Sequence, residues 1–335
     1  MKGKRNVMMK AACYRAQGKG SEVIQIEEFP IPEPQKGELL VKVAAHGVNP
    51  TDCKRRSGLR GPMKHEVIIP GFDAAGTIAK IGQDVARREV DERVWVWEAA
   101  HGCWDGAAAE YVRVQASRVM TLPETASMAL GASLGVPALT AAHALRLGRT
   151  TPGDVVLITG GGGAVGNAAV ALAKFMGCHV LATARNPEQQ EDARLAGADH
   201  VVAPIAEEIG AKIADITKGQ GVRHMVDVDL GGHLEHSWSY VAQNGSIASY
   251  GSASNPKPML EWSKFMYRNI AIHGVAIFEV PEEDKLAAAG LVQQALEQDF
   301  FVERTAKMFS LEETGFAHDY QEDGRPRGKV IVRMD

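Results

Sequence analysis

The chain reads as an α/β protein in two parts, a mostly β domain and a doubly wound parallel sheet. Three observations carry that expectation. The early chain holds short β-type runs, "LLVKVAAHGV" (39–48), "AAGTIAKIG" (74–82), "RVWVW" (93–97) and "AEYVRV" (109–114), separated by Pro and Gly turn signals. A later stretch, "GDVVLITGGGGAVGNAAVALAKFMGCHVLATARN" (153–186), reads as strand, glycine-rich turn, helix and strand. Strand-like runs then recur at 200–203, 224–229, 246–251 and 270–278 with helical segments between several of them, the pattern of a parallel sheet.

The chain of 335 residues is about twice the usual domain size, so two domains are expected. The spacing of elements divides it into a β domain at 9–128 and 279–335 and a parallel-sheet domain at 129–278. Residues 1–8 read as a short extension, "PIPEP" (30–34) as a stiff connector, and 282–297 as a charged helix. "ETASMALGASLGVPALTAAHALRL" carries helical periodicity interrupted at Gly135–Pro137.

Hydrophobic residues at 45% and charged residues at 23% are ordinary for a globular protein. A net charge of −4 argues against a nucleic-acid or anionic-membrane partner. No apolar run reaches the ~18–20 residues that span a bilayer, and the basic start lacks the apolar segment of a secretory signal. Four scattered cysteines with no CxxC pair speak against a disulfide framework or a thiolate zinc site, and for a cytoplasmic location.

The sharpest chemical signal is Gly161, Gly163 and Gly166, a G-x-G-x-x-G that follows an apolar strand and opens an Ala-rich helix. Gly161 permits a tight turn, Gly163 lets backbone approach a pyrophosphate, and Gly166 lets helix pack on strand. With Gly162, Ala164 and Val165 these residues form a dinucleotide site at a helix N-terminus. An NAD site places an acid at the end of the next strand, where this chain has Thr183, Ala184 and Arg185. Arg grips a 2′-phosphate that a carboxylate would repel, so NADPH is the expected cofactor. Tyr250, Gly251 and Ser252 end another strand of the same sheet, where a cofactor crevice lies.

These segments, together with "MKAACY" (9–14), "VKVAAHGVNPTDCKRRSG" (41–58), "PGFDAAGTIAKIG" (70–82), "GAAAEYVRV" (106–114), "LGVPALTAAHAL" (134–145), "NGSIASYGS" (244–252) and "GRPRGKVIV" (324–332), make the chain resemble the medium-chain dehydrogenase/reductase superfamily, in its zinc-independent quinone oxidoreductase branch. The resemblance implies a GroES-like β domain with an inserted Rossmann domain, the nicotinamide in a cleft between them, and a homodimer formed along "IAIHGVAIF". It places Asn49 against the substrate carbonyl or nicotinamide ribose, and Thr140 near the carboxamide. An Asn-Pro turn and a packed helical Thr are the plain alternatives. Val275 and Ile277 are expected against the nicotinamide ring or simply in an apolar strand. Lys54 stands where many of these enzymes carry Tyr, to hold an anionic acceptor or point to solvent. Gln189 replaces a Lys that contacts the 2′-phosphate, which leaves Arg185 alone there.

Zinc-dependent relatives use Cys at the position of Asn49 and Gly-His-Glu where this chain has Gly71-Phe72-Asp73. Phe72 cannot ligate, Asn49 is a poor zinc ligand, and Gly135–Val136 supply no third donor, so no metal is expected. His46 and Cys53 read as packed residues. Trp95 and Trp97, two apart on a strand, share a face and suit the core; Trp104 is a candidate stacking surface.

Without a Lewis acid an alkoxide is hard to stabilise, whereas a quinone delocalises the charge it receives. The expected activity is NADPH:quinone reduction. The alternatives are an enone or enoyl-thioester double-bond reductase, for which Lys54, Arg55 and Arg56 hint at a phosphate patch, and a non-catalytic NADPH-binding protein.

Overall fold

A computed structural model describes residues 7–323 and 326–334. The proposed extension therefore lies almost wholly outside the described residues, and Met8 already belongs to the first strand. β1 (Met8–Cys13) and β2 (Gln25–Pro30) form an antiparallel pair, with the short helix α1 (Gly20–Val23) between them. β3 (Glu38–Val48), helix α2 (Pro50–Arg56), β4 (Asp73–Ile81), β5 (Arg93–Val96), β6 (Tyr111–Gln115) and β7 (Val119–Thr121) follow. Helices α3 (Met128–Gly131) and α4 (Gly135–Leu147) lead into the parallel sheet. The helical stretch breaks just before Gly135, so Pro137 sits in the first turn of α4, where its missing N–H costs nothing.

The parallel sheet contains β8 (Val155–Ile158), β9 (His179–Thr183), β10 (His200–Val202), β11 (Val222–Asp227), β12 (Val241–Ser249) and β13 (Ala271–Gly274). Helices α5 (Ala164–Phe175), α6 (Pro187–Leu195), α7 (Ala206–Thr217), α8 (Leu230–Tyr240) and α9 (Trp262–Met266) connect them. After α10 (Glu282–Glu297), strand β14 (Thr305–Ser310), helix α11 (Thr314–Asp323) and strand β15 (Lys329–Arg333) complete the chain.

The sheet order is β10-β9-β8-β11-β12-β13, all parallel, which is the order of a Rossmann fold with its switch point between β8 and β11. Its core is formed by Leu157, Leu181, Ile209, Ile213, Met225 and Ile247. The other sheet runs β14-β15-β3-β4-β5-β7, with β6 also paired to β3. Its core holds Leu39, Val41, Ile78, Val94, Val96 and Val112. Trp95 and Trp97 are both fully buried, their rings 5.3 Å apart at a 40° tilt, so neither offers a stacking surface. Trp104 packs on Phe29 at 5.8 Å.

Two compact units result, one from the chain up to Val136 together with Glu303 onward, the other from Pro137 to Val302. The boundaries expected at 128/129 and 278/279 thus fall later. The reason at the second is α10, whose Ala288, Ala289, Val292, Ala295 and Leu296 are buried and which packs on α5 of the parallel-sheet unit. The strand expected over 270–278 is also shorter. β12 ends at Ser249 opposite Gly274, the Val275 N–H makes the last bond to it, and the chain beyond turns into a 3₁₀ segment at Ile277–Glu279.

Candidate functional site

A candidate nucleotide site begins at the end of β8. Gly160 takes the left-handed φ of +71° that makes the turn, a role expected of Gly161. Its N–H donates to Thr183 Oγ1 at 3.1 Å, and Gly161 N–H donates to Thr183 O at 2.8 Å. Thr183, buried at the end of β9, therefore holds the turn in shape and its hydroxyl is spent there. A Cβ on Gly166 would sit 2.2 Å from Gly160 O, so only glycine lets α5 start this close to the strand. No side chain caps α5, whose N-cap is Gly163. The first-turn amides that begin at Ala164 and Val165 and the positive end of the helix dipole thus suit an anionic group. Arg185 follows Thr183 and Ala184 and is exposed, its N–H donating to Gln189 Oε1 at 3.4 Å. The nearest acid in sequence, Glu188, is likewise exposed on α6. These donors fit the phosphates of a dinucleotide.

At the carboxyl ends of the neighbouring strands the expected Tyr250, Gly251 and Ser252 are joined by Asp227, which the sequence did not single out. Asp227, fully buried at the end of β11, accepts from Thr159 Oγ1 at 2.8 Å, His233 Nδ1 at 2.6 Å and Ser249 Oγ at 3.2 Å. The hydrogen bond to Asp227 raises the pKa of His233 despite its partial burial. Tyr250 donates its N–H to Asp227 O at 3.1 Å, and burial pushes its phenol well above the usual range. Gly251 O accepts from Leu230 N, and Ser252 Oγ accepts from Gly231 N at 3.0 Å. Val275 and Ile277 are buried, and the Val275 N–H donates to Ser249 O at 2.8 Å. Thr140 is buried on α4.

In the β unit, a separate polar cluster is built by three adjacent strands. β3 pairs with β4 so that Gly47 faces Asp73, and with β15 so that Val48 faces Val330. The chains leaving those pairs bring Asn49, Asp73 and Lys329 together. Lys329 Nζ donates to Asn49 Oδ1 at 2.5 Å and to Asp73 Oδ2 at 3.0 Å. Asn49 Nδ2 donates to the same Asp73 oxygen at 2.8 Å and to Gly47 O at 3.3 Å. Asp73 Oδ1 accepts the Val136 N–H at 2.8 Å. Both ends of the Asn49 amide are thus engaged within the protein, and all three side chains are buried.

Around this cluster lie two more buried titratable groups. Asp52 accepts from Asn49 N at 2.8 Å and Gly71 N at 3.0 Å. Burial drives its pKa up to about 7 against those hydrogen bonds, with Asp73 adding repulsion. His46 Nδ1 lies 3.2 Å from Asp73 O, and since a carbonyl only accepts, that nitrogen carries the proton. Burial lowers the pKa of His46 to about 4, which leaves the ring neutral.

A zinc ion does not fit this donor set. Phe72 offers no ligand, the Asn49 carbonyl already accepts from Lys329, and Asp73 is paired with an ammonium. Among the described residues no group of three His, Cys, Asp or Glu is arranged to hold a metal. Cys53 is buried against His318 O, and its surroundings raise its thiol pKa, so it is no nucleophile. Lys54 is exposed on α2. Its neighbours are not a phosphate patch: Arg55 donates to Ala100 O and Cys103 O, and Arg56 is buried against Glu322 and Gly18 O. Lys329 is the residue sequence reasoning missed. Its signal was a lysine at the head of an otherwise apolar strand, "GKVIV".

Comparisons with known proteins agree with this geometry. Residues 35–124 match the alcohol dehydrogenase GroES-like domain family, and residues 164–293 the zinc-binding dehydrogenase family. The quinone oxidoreductase of Mus musculus is 28% identical over 326 residues, which cover 94% of this chain and 95% of the relative. A mycobacterial quinone oxidoreductase superposes with a TM-score of 0.85 at 25% identity, covering 97% of this chain and all of the other. A mycobacterial structure complexed with NADPH gives a TM-score of 0.82 at 25% identity, with the same coverage. The order of the parallel strands, the glycine turn at its switch point and these matches lead to one conclusion: the chain is an oxidoreductase that belongs to the medium-chain dehydrogenase/reductase superfamily, in its quinone oxidoreductase branch.

Proposed function

We propose that this oxidoreductase passes a hydride from NADPH to a quinone-type acceptor without a metal ion. The observation that carries the proposal is Lys329. It fills with its own ammonium the region where zinc-dependent relatives place their ligands, and it uses up the Asn49 and Asp73 oxygens there. An acceptor that carries its own negative charge then suits the site better than a nascent alkoxide. Bound NADPH would supply the hydride. The protein's part is to orient it through the glycine turn and Arg185, and to shield the reaction from water. The quinone gains the hydride and becomes a hydroquinone monoanion, which takes one proton from water. Asn49, held by Lys329 and Asp73, acts as a positioning residue, and Thr140 is proposed beside the carboxamide.

Arg185 at the end of β9, with no acid before Glu188, supports NADPH over NADH. Four unpaired cysteines suit a reducing cytoplasm, and no helix of the described residues is long and apolar enough to cross a membrane. A homodimer along β13 is proposed, because β13 ends the sheet and Trp262 and Tyr267 nearby are 61% and 79% exposed.

The test is NADPH oxidation by chelator-treated protein with a quinone and an enone in parallel. Turnover with the quinone is expected. Turnover with the enone alone would replace this reading with double-bond reduction, and silence on both with NADPH bound would leave a binding protein.

A further inference from the structure

A cavity of about 550 Å³ opens at the amino ends of β11, β12 and β13. Nucleotides bind open α/β sheets outside the carboxyl ends of the strands, where Gly160 and Gly251 lie. This cavity is therefore a separate place on the same sheet, and its volume is that of a small-molecule site.

Its walls are cationic. Arg146 and Arg149 come from the end of α4 and the turn after it, and Arg223 from the start of β11; Asp284 of α10 is the one acid. That excess of positive charge stands out in a chain whose net charge is −4. Asp284 does not cancel it, since its contact with Arg146 is loose, at 3.7 Å, with both side chains 40% exposed. Arg223 is held in place by donating to Asn244 O at 2.7 Å. Arg149, Asn244 and Asn269, all on the wall, have left-handed φ values of 46°, 61° and 51°. For Arg that backbone is disfavoured.

His143 supplies the second observation. It belongs to the wall, is only 8% exposed, and its Nδ1 is buried with no hydrogen-bond partner. That nitrogen is itself closed to the cavity, so the ring senses an anion there through its field and not through a direct hydrogen bond. Burial lowers the pKa of His143, Arg146 and His273 lower it further, and only Asp284 opposes them. An anion in the cavity would offset the arginines and favour the imidazolium.

We propose that this cavity binds a multivalent oxyanion, a phosphate ester or a polycarboxylate, through Arg146, Arg149 and Arg223, with His143 in the same wall. The inference is independent of which acceptor the enzyme reduces.

The test uses NADPH-saturated protein, so that the glycine turn is already filled, titrated calorimetrically with pyrophosphate and separately with citrate. Saturable binding of either is expected, and the tighter one names the source of the charge. The Arg149→Gln/Arg146→Gln double variant should bind at least tenfold more weakly with NADPH affinity unchanged, whereas Lys212→Gln, on a remote helix, should change nothing. Saturation should also move the His143 imidazole resonance toward its protonated position. No saturable binding of either anion, or equal affinity in the double variant, or a His143 resonance that stays fixed would each overturn the proposal.

Discussion

Lys329 and Asp73 lie 256 positions apart in the chain, yet their side chains meet at 3.0 Å with 5% and 0% of their surfaces exposed. The pair links β15 to β4 across β3, and the Lys329 ammonium also fixes the orientation of the Asn49 amide by donating to its Oδ1.

Removing one partner of such a pair leaves the other charge buried and alone, which costs about 3–5 kcal/mol. Lys329→Met should therefore lower stability by that order, and Asp73→Asn in the same background should cost much less than it does in the wild type. Denaturant melts of the four proteins of this cycle measure the coupling. Additive effects would mean that the pair is not an ion pair in solution.

Arg185 is exposed and reaches solvent, so its loss should leave the fold intact. A hydrogen bond to a charged group contributes about 1.5–3 kcal/mol, which is roughly 10- to 100-fold in affinity. Arg185→Ala should weaken NADPH by that factor and NADH by little, with the maximal rate preserved. Fluorescence titration with both nucleotides checks it, and an equal loss for both would place Arg185 away from the 2′-phosphate.

Three buried imidazoles set the acid limb of stability. Burial lowers the pKa of His46 and His224 to about 4 and that of His318 well below its ordinary value. Between about pH 4 and the ordinary imidazole value near 6.5 the unfolded chain binds more protons than the folded one, so stability rises with pH in that window. Asp52 works the other way, because its folded carboxyl keeps its proton up to about pH 7 while an unfolded one loses it near 4. With His143, whose pKa burial also lowers, four imidazoles outweigh Asp52 and the raised His233, so urea midpoints should climb from pH 4.5 to 6.5 and then level off. Asp52→Asn should steepen the climb. A flat profile over this window would contradict the burial of these rings.

Much of this was legible in one dimension. The parallel sheet announced itself because strands buried on both faces are continuous apolar runs, and the glycine turn because its steric demand admits no other residue at Gly166. Other features were not. Asp227 lies inside the strand-like run 224–229, but nothing in its sequence, "HMVDVD", says that Thr159, His233 and Ser249 converge on it from three other segments. The apparent basic patch Lys54–Arg55–Arg56 dissolved, because adjacent helical residues point in different directions and two of the three turn inward. The helix 282–297 was read correctly as a helix and assigned to the wrong unit, since amphipathicity shows that a face is buried without saying against what.

The sequence by itself determined the two-part α/β architecture, the glycine turn and the lack of zinc ligands at Asn49 and Phe72, because each depends on local spacing or on what a side chain can chemically do. Tertiary structure alone decided that Lys329 reaches Asn49 and Asp73, and that His143 shares a cavity wall with three arginines. Those outcomes depend on strand register and on packing between segments far apart in the chain, and a buried charge is stable only where the fold brings it a partner.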